Sequence, residues 1–295
     1  MRQEDFYPPH GFLALPPERS AYETSRAVVL PVPYDSTTTA RAGARDGPQA
    51  IISASQDLEP FDLAPGYDTS LHGIHTLPDV APHSGSPQAM VDRVERVIGS
   101  LLDDGKFVLT LGGEHTITIG AVRAHARRFP GLSVLSFDAH ADLRDEYLDS
   151  PYNHACVMRR VLEVCPVVQV GMRSASADQL RLIEERKLPF FTTRAYRALD
   201  GAPAAISALL TENVYVSVDL DGFDPSQMAA VGTPEPGGLL WDEVIDLLTA
   251  VAREKRIVGC DVVELAPDLG PFACAVLAAK LAYRIIGLAL GPPQT

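Results

Sequence analysis

From residue 88 onward, short and nearly all-apolar runs alternate with segments of helical spacing, and this rhythm constrains the fold more than any other feature of the chain. It predicts strands over Phe107–Leu111, Leu132–Asp138, Pro166–Val170, Asn213–Asp219 and Ile257–Glu264, with a weak one at Pro189–Thr192. It predicts helices over Gln88–Leu102, Thr118–Arg128, His154–Glu163, Asp178–Arg186, Ala202–Leu210, Trp241–Arg253 and Phe272–Ile286. Strands alternating with helices make a parallel sheet with helices on both faces. A strand covered on both faces needs the continuous apolar run seen here. The expected architecture is α/β, a three-layer α/β/α fold around a central, mostly parallel sheet. Upstream, Ala27–Pro31 reads as a further strand, and Pro48 sits where a helix over Pro48–Leu58 could begin. The Pro-rich residues 1–25 read as an arm on the surface or on a neighbouring subunit. Pro60–Ser86 reads as loop, its histidines His72, His75 and His83 solvated rather than ligating.

Polar residues gather at the strand ends. His115, Asp138, Asp219 and Glu264 each follow the C-terminal end of a different predicted strand, the edge where open α/β sheets hold their ligands. Two stretches concentrate them: Ser136-Phe137-Asp138-Ala139-His140-Ala141-Asp142 and Ser217-Val218-Asp219-Leu220-Asp221-Gly222-Phe223-Asp224-Pro225. Alternate residues of a strand share a face, which groups Asp138, His140 and Asp142, and likewise Asp219 and Asp221. Fully extended, the first three would span roughly 13 Å, too far for a compact site, so the chain must bend soon after Asp138. Solvated strand-end charges explain one aspartate. Four carboxylates converging with a histidine would repel one another unless cations sat between them. Oxygen and imidazole donors suit a hard or borderline divalent ion such as Mn²⁺. Gly112-Gly113 lets the chain turn before His115, and the segment lacks the Lys-Ser/Thr and the glycine spacing of a phosphate loop. His125, mid-helix among arginines, reads as a surface residue.

Composition narrows the class. Of 295 residues 46% are hydrophobic, ample for a large core. No linker, repeat or low-complexity tract divides them, so one domain over residues 1–295 is expected. A net charge of -13 argues against a nucleic-acid partner, which wants a basic stripe. The apolar tract Phe272–Leu290 is interrupted by Lys280 and Arg284 and reads as a buried helix, not a membrane span. No apolar run follows Met1-Arg2-Gln3-Glu4-Asp5, so no signal peptide is expected. Cys156, Cys165, Cys260 and Cys274 form no CxxC pair and read as reduced core thiols of a cytoplasmic protein.

Four blocks now carry a resemblance: Leu111-Gly112-Gly113-Glu114-His115-Thr116, Ser136–Asp142, Ser217–Pro225 and Asp261-Val262-Val263-Glu264. Together they resemble the ureohydrolases, the arginases and agmatinases. Gly43–Pro48 and Thr233-Pro234-Glu235-Pro236-Gly237-Gly238 look like further segments of that family. The resemblance implies two Mn²⁺ per subunit, one held by His115, Asp138, Asp142 and Asp219, the other by Asp138, His140, Asp219 and Asp221. Asp138 and Asp219 would bridge. It also implies a homo-oligomer, a trimer or hexamer. Guanidinium hydrolysis needs water ionised near neutral pH, which a metal site can achieve by lowering its pKa to about 7. Glu264 is the candidate partner for the cationic guanidinium, since a carboxylate can accept paired bonds from that planar group. His154, following the cluster by a loop, suits the proton shuttle to the leaving amine. Asp224 is expected to brace the Asp219/Asp221 loop from behind.

The stretch Leu143-Arg144-Asp145-Glu146-Tyr147-Leu148-Asp149-Ser150-Pro151 is carboxylate-rich and lacks the arginase Ser-Gly-Asn-type sequence. Acidic residues near the mouth suit an amine tail. Agmatine, giving putrescine and urea, is therefore the expected substrate, with N1-aminopropylagmatine fitting the same logic. Two other classes compete. A single-zinc amidohydrolase of the deacetylase type would leave His115 and Asp142 unexplained. A non-catalytic binding protein would have little need for a complete ligand set.

Overall fold

A computed structural model describes residues 10–293. Among the described residues ten strands run β1 (Ala27–Val32), β2 (Phe61–Asp62), β3 (Tyr67–Asp68), β4 (Ile74–Thr76), β5 (Phe107–Gly112), β6 (Leu132–Phe137), β7 (Val167–Met172), β8 (Phe190–Thr192), β9 (Asn213–Asp219) and β10 (Arg256–Val263). The same residues form ten α-helices, α1 (Pro17–Ser20), α2 (Gly47–Ser55), α3 (Pro87–Asp103), α4 (Thr118–Arg128), α5 (Val157–Val161), α6 (Ala177–Arg186), α7 (Thr193–Ala198), α8 (Ala202–Ser207), α9 (Trp241–Glu254) and α10 (Ala273–Leu290). Eight strands form one sheet in the order β4-β1-β5-β10-β9-β6-β7-β8, and every pairing in it is parallel. β2 and β3 form a separate short hairpin.

The apolar runs become the central strands because both of their faces are covered. β1, β5, β6 and β7 are buried at every residue. One core packs α2, α9 and α10 against one face of the sheet, and a second packs α3, α4 and α5 against the other. The three-layer α/β/α arrangement expected from the alternation is the one observed. α10 is long and apolar enough to span a membrane, but 61% of it is buried in the fold, with Arg284 paired to Asp62 at its flank.

Several local expectations differ from the structure. Residues 1–9 of the expected arm lie outside the described residues, and Phe12, Leu13 and Leu15 are not on the surface but buried in the core. Leu13 N–H donates to Ser55 Oγ at 2.8 Å, so this segment is tied to α2. His72 is buried rather than solvated, its Nε2 2.8 Å from the Gly291 carbonyl. His125 is fully buried, not a surface residue. It lies one helical turn after Ala121 on the core-facing side of α4, while its arginine neighbours point outward. Gly113 proves necessary for packing rather than turning: a Cβ there would overlap the Tyr34 backbone.

Candidate metal centre

The C-terminal ends of β5, β10, β9 and β6, four adjacent strands, supply the site. His115 opens a 3-10 turn after β5. Asp138 follows β6 directly, and the chain then bends, pairing His140 beside Ser174 and placing Asp142 in a left-handed conformation at φ 49°. Asp219 closes β9 and caps the turn carrying Asp221, whose N–H donates to Asp219 Oδ1 at 2.9 Å. Glu264 follows β10 at φ 68°. A non-glycine residue held at such an angle costs about 1–3 kcal/mol and persists only where its surroundings over-determine it. Here Glu264 N–H donates to the Gly113 carbonyl, and Glu264 Oε1 accepts from His115 N–H at 2.7 Å.

The side chains converge on two triplets. The first is His115, Asp138 and Asp219; the second is Asp138, His140 and Asp221, so Asp138 belongs to both. His115 Nδ1 lies 3.3 Å from Asp138 Oδ2, 3.2 Å from Asp142 Oδ2 and 3.3 Å from Asp219 Oδ2. Despite this crowding, His115 Nδ1 and Asp138 Oδ2 are buried without a hydrogen bond among the described residues. Lone pairs that converge without sharing a proton form the donor set a divalent cation requires. His140 Nδ1 is 2.9 Å from Asp221 Oδ2. Five of the six residues named from the sequence fall in these triplets, Asp219 in the first alone; Asp142 joins neither and meets the group through its contact with His115 Nδ1.

Electrostatics reflect the same crowding. Burial pushes the Asp138 carboxyl up to about 7, helped by the charges of Asp142 and Asp221. Burial also raises Asp219 well above the usual carboxylate range. Burial alone would lower His140, but the Asp221 carboxylate reverses this and lifts it to about 10. Burial likewise opposes the proton on His154, and Glu264 beside it raises that ring to about 9.

His154 Nδ1 is 3.7 Å from Glu264 Oε1, and Nε2 is 2.9 Å from Thr39 Oγ. His154 and Thr39 line one cavity of ~280 Å³ together with His140, Asp142, Asp219 and Asp221. Asp224 touches no member of the triplets. Its Oδ2 accepts from the N–H groups of Gly237 and Gly238, tying the 233–238 segment to the Asp221 loop.

Sequence reasoning missed several residues. Thr37 N–H and Oγ–H both donate to the buried Glu114 at 2.6 Å, while Thr37 Oγ accepts from His154 N–H. Burial pushes Glu114 up to about 7. Thr233 Oγ reaches Asp221 Oδ2 at 3.2 Å. Arg173 spans the carbonyls of Gly171, Asp221, Gly222, Phe223 and Glu235. Thr233 stood in a segment already marked by its likeness to the family; nothing local marked Thr37 or Arg173.

Comparisons with known proteins agree with this geometry. Residues 25–287 match the model of the Arginase family. The N(1)-aminopropylagmatine ureohydrolase of Thermus thermophilus is 44% identical over 270 residues, covering 90% of this chain and 91% of its own. An agmatinase of Pyrococcus horikoshii is 33% identical, covering 88% and 91%. The crystal structure of the agmatine ureohydrolase of Thermoplasma volcanium superposes with a TM-score of 0.87 at 32% identity, covering 97% of this chain and 96% of that one. With a family match across the whole sheet and relatives that span nearly all of its length, the chain belongs to the arginase family, as a ureohydrolase that cleaves guanidino C–N bonds.

Proposed function

We propose that the chain is a binuclear manganese ureohydrolase acting on N1-aminopropylagmatine, releasing urea and spermidine. The observation that carries the metal reading is the shared carboxylate: Asp138 stands in both histidine–aspartate triplets. His115, Asp142 and Asp219 would hold one ion with it, and His140 and Asp221 the other. The all-oxygen-and-imidazole set, without a thiolate, favours Mn²⁺ over softer-site metals. When bound, such a pair lowers the pKa of a water toward neutrality.

The remaining residues supply binding and proton transfer. Glu264 commits Oε1 to the His115 N–H, and Oε2 makes no hydrogen bond among the described residues. That free oxygen faces the cationic guanidinium and orients it. His154, whose protonated form the Glu264 carboxylate favours, donates from its ring to the departing amine; Thr39 holds Nε2 and fixes the ring plane. Asp224 keeps the 233–238 segment against the Asp221 loop. A single domain over residues 1–295, assembled as a trimer or hexamer in the cytoplasm, completes the reading.

The substrate assignment follows the Thermus relative, named for aminopropylagmatine at 44% identity, over the agmatinase at 33%. Agmatine is the second reading, favoured by the name of the Thermoplasma structure. A panel of aminopropylagmatine, agmatine, arginine and guanidinobutyrate, assayed for urea with added manganese, decides by kcat/KM. Preference for arginine or guanidinobutyrate would refute both amine readings.

A further inference from the structure

Behind His115, on the α4 face of the sheet, lies a buried polar chain that the proposed chemistry does not use. Asp261 on β10 pairs in register with Ser217 on β9, and Gly259 with Tyr215. Residues 215 and 217 share a face of β9, so both side chains reach Asp261. Tyr215 O–H donates to Asp261 Oδ2 at 2.8 Å, and Ser217 O–H donates to Asp261 Oδ1 at 2.7 Å. Asp261, Ser217 and Tyr215 are fully buried. On its other side Ser217 Oγ lies 2.9 Å from His115 Nε2.

We propose that Ser217, Asp261 and Tyr215 are positioning residues that fix which nitrogen of His115 carries its proton. The inference rests on the metal reading above. A carboxylate accepting two hydroxyl donors commits the Ser217 proton to Asp261. Ser217 Oγ can then only accept from His115, so the ring proton sits on Nε2. Nδ1 is left as a bare lone pair, the form in which imidazole ligates a metal. That is the nitrogen surrounded by Asp138, Asp142 and Asp219. The hydroxyl between carboxylate and imidazole has a purpose of its own: it keeps a fifth negative charge one hydrogen bond further from the four already gathered.

The far end of the chain is braced by packing. The His125 ring lies 4.7 Å from the Tyr215 ring, centroid to centroid. It occupies the space that a side chain at position 259 would take; a Cβ on Gly259 would overlap it. This contact holds the Tyr215 ring where its hydroxyl meets Asp261.

The test titrates chelator-stripped protein with Mn²⁺ by calorimetry and follows each of the two ions separately. Ser217→Ala is expected to weaken one ion by about 10–100-fold, as removal of an outer partner of a ligating histidine does, and to leave the other within about threefold. Ser217→Thr, which keeps the hydroxyl, is expected to restore the wild-type isotherm. Should its added methyl unfold the protein, Tyr215→Phe decides by the same one-ion split, with a smaller loss. Unchanged affinities in Ser217→Ala, or equal weakening of both ions, would overturn the proposal while leaving the metal centre standing. Wild-type protein that takes up no divalent ion overturns the metal reading, and this inference with it.

Discussion

His125 makes the stability of this fold sensitive to mild acid. Its Nδ1–H donates to the Ala121 carbonyl at 2.8 Å, while Nε2 is buried with no hydrogen-bond partner among the described residues. Burial pushes the ring down to about 4 from an ordinary 6.5. The unfolded chain therefore takes up a proton on this residue between those two values while the folded chain does not. Stability contributed by the neutral ring is fully present above 6.5 and is lost progressively as pH falls toward 4. Full burial means solvent screens little of this. Each pKa unit is worth about 1.4 kcal/mol, so lowering the pH from 7 to 5 should remove about 2 kcal/mol through His125 alone. The perturbation is His125→Leu, which keeps an apolar filling of similar size and cannot titrate. The assay is urea unfolding of metal-free protein at pH 7 and pH 5, wild type against variant. Carboxylates common to both proteins cancel in the difference, as does any fixed packing cost of leucine. The wild type should lose about 2 kcal/mol more than the variant over that interval. Equal losses in the two proteins would refute the claim that a buried neutral imidazole is responsible.

Three further outcomes follow from the same structure. His154→Asn should lower kcat by about 10²–10⁴-fold, the usual contribution of a positioned proton donor, with manganese uptake by calorimetry unchanged. Gly259→Ala, by forcing a methyl into the His125 ring, should cost about 1–3 kcal/mol, read as a fall in thermal midpoint. Arg173→Lys cannot reach all five carbonyls that the guanidinium spans, and leaving even one of them buried and unpaired costs about 1–3 kcal/mol. It should lower the thermal midpoint and weaken manganese binding, because three of those carbonyls, on Asp221, Gly222 and Phe223, belong to the loop carrying Asp221.

Most of the architecture was legible because the signals are local. Thr118–Arg128 and Asn213–Asp219 have the bounds their residue patterns predict, since amphipathic spacing and apolar runs are properties of the segment itself. His125 was misread by attending to its arginine neighbours; its spacing from Ala121 and Val122 already put it on the buried face of α4. Phe12 and Leu15 were masked by the prolines around them, which hide an apolar anchor inside an irregular segment. Asp261 was seen only as the start of a block leading to Glu264, because a lone aspartate in a strand carries no sign of what pairs with it.

The sequence by itself determined that histidine and carboxylates would stand at strand ends, on the edge of a parallel sheet where ligands bind. Which of those ends are neighbours was decided only by the tertiary structure. β10, nearly the last element in the chain, inserts between β5 and β9. That placement brings Glu264 onto the His115 backbone and sets Asp261 beside Ser217. Strand order follows from how crossover helices pack over the whole sheet, a long-range energy that no local pattern of residues encodes.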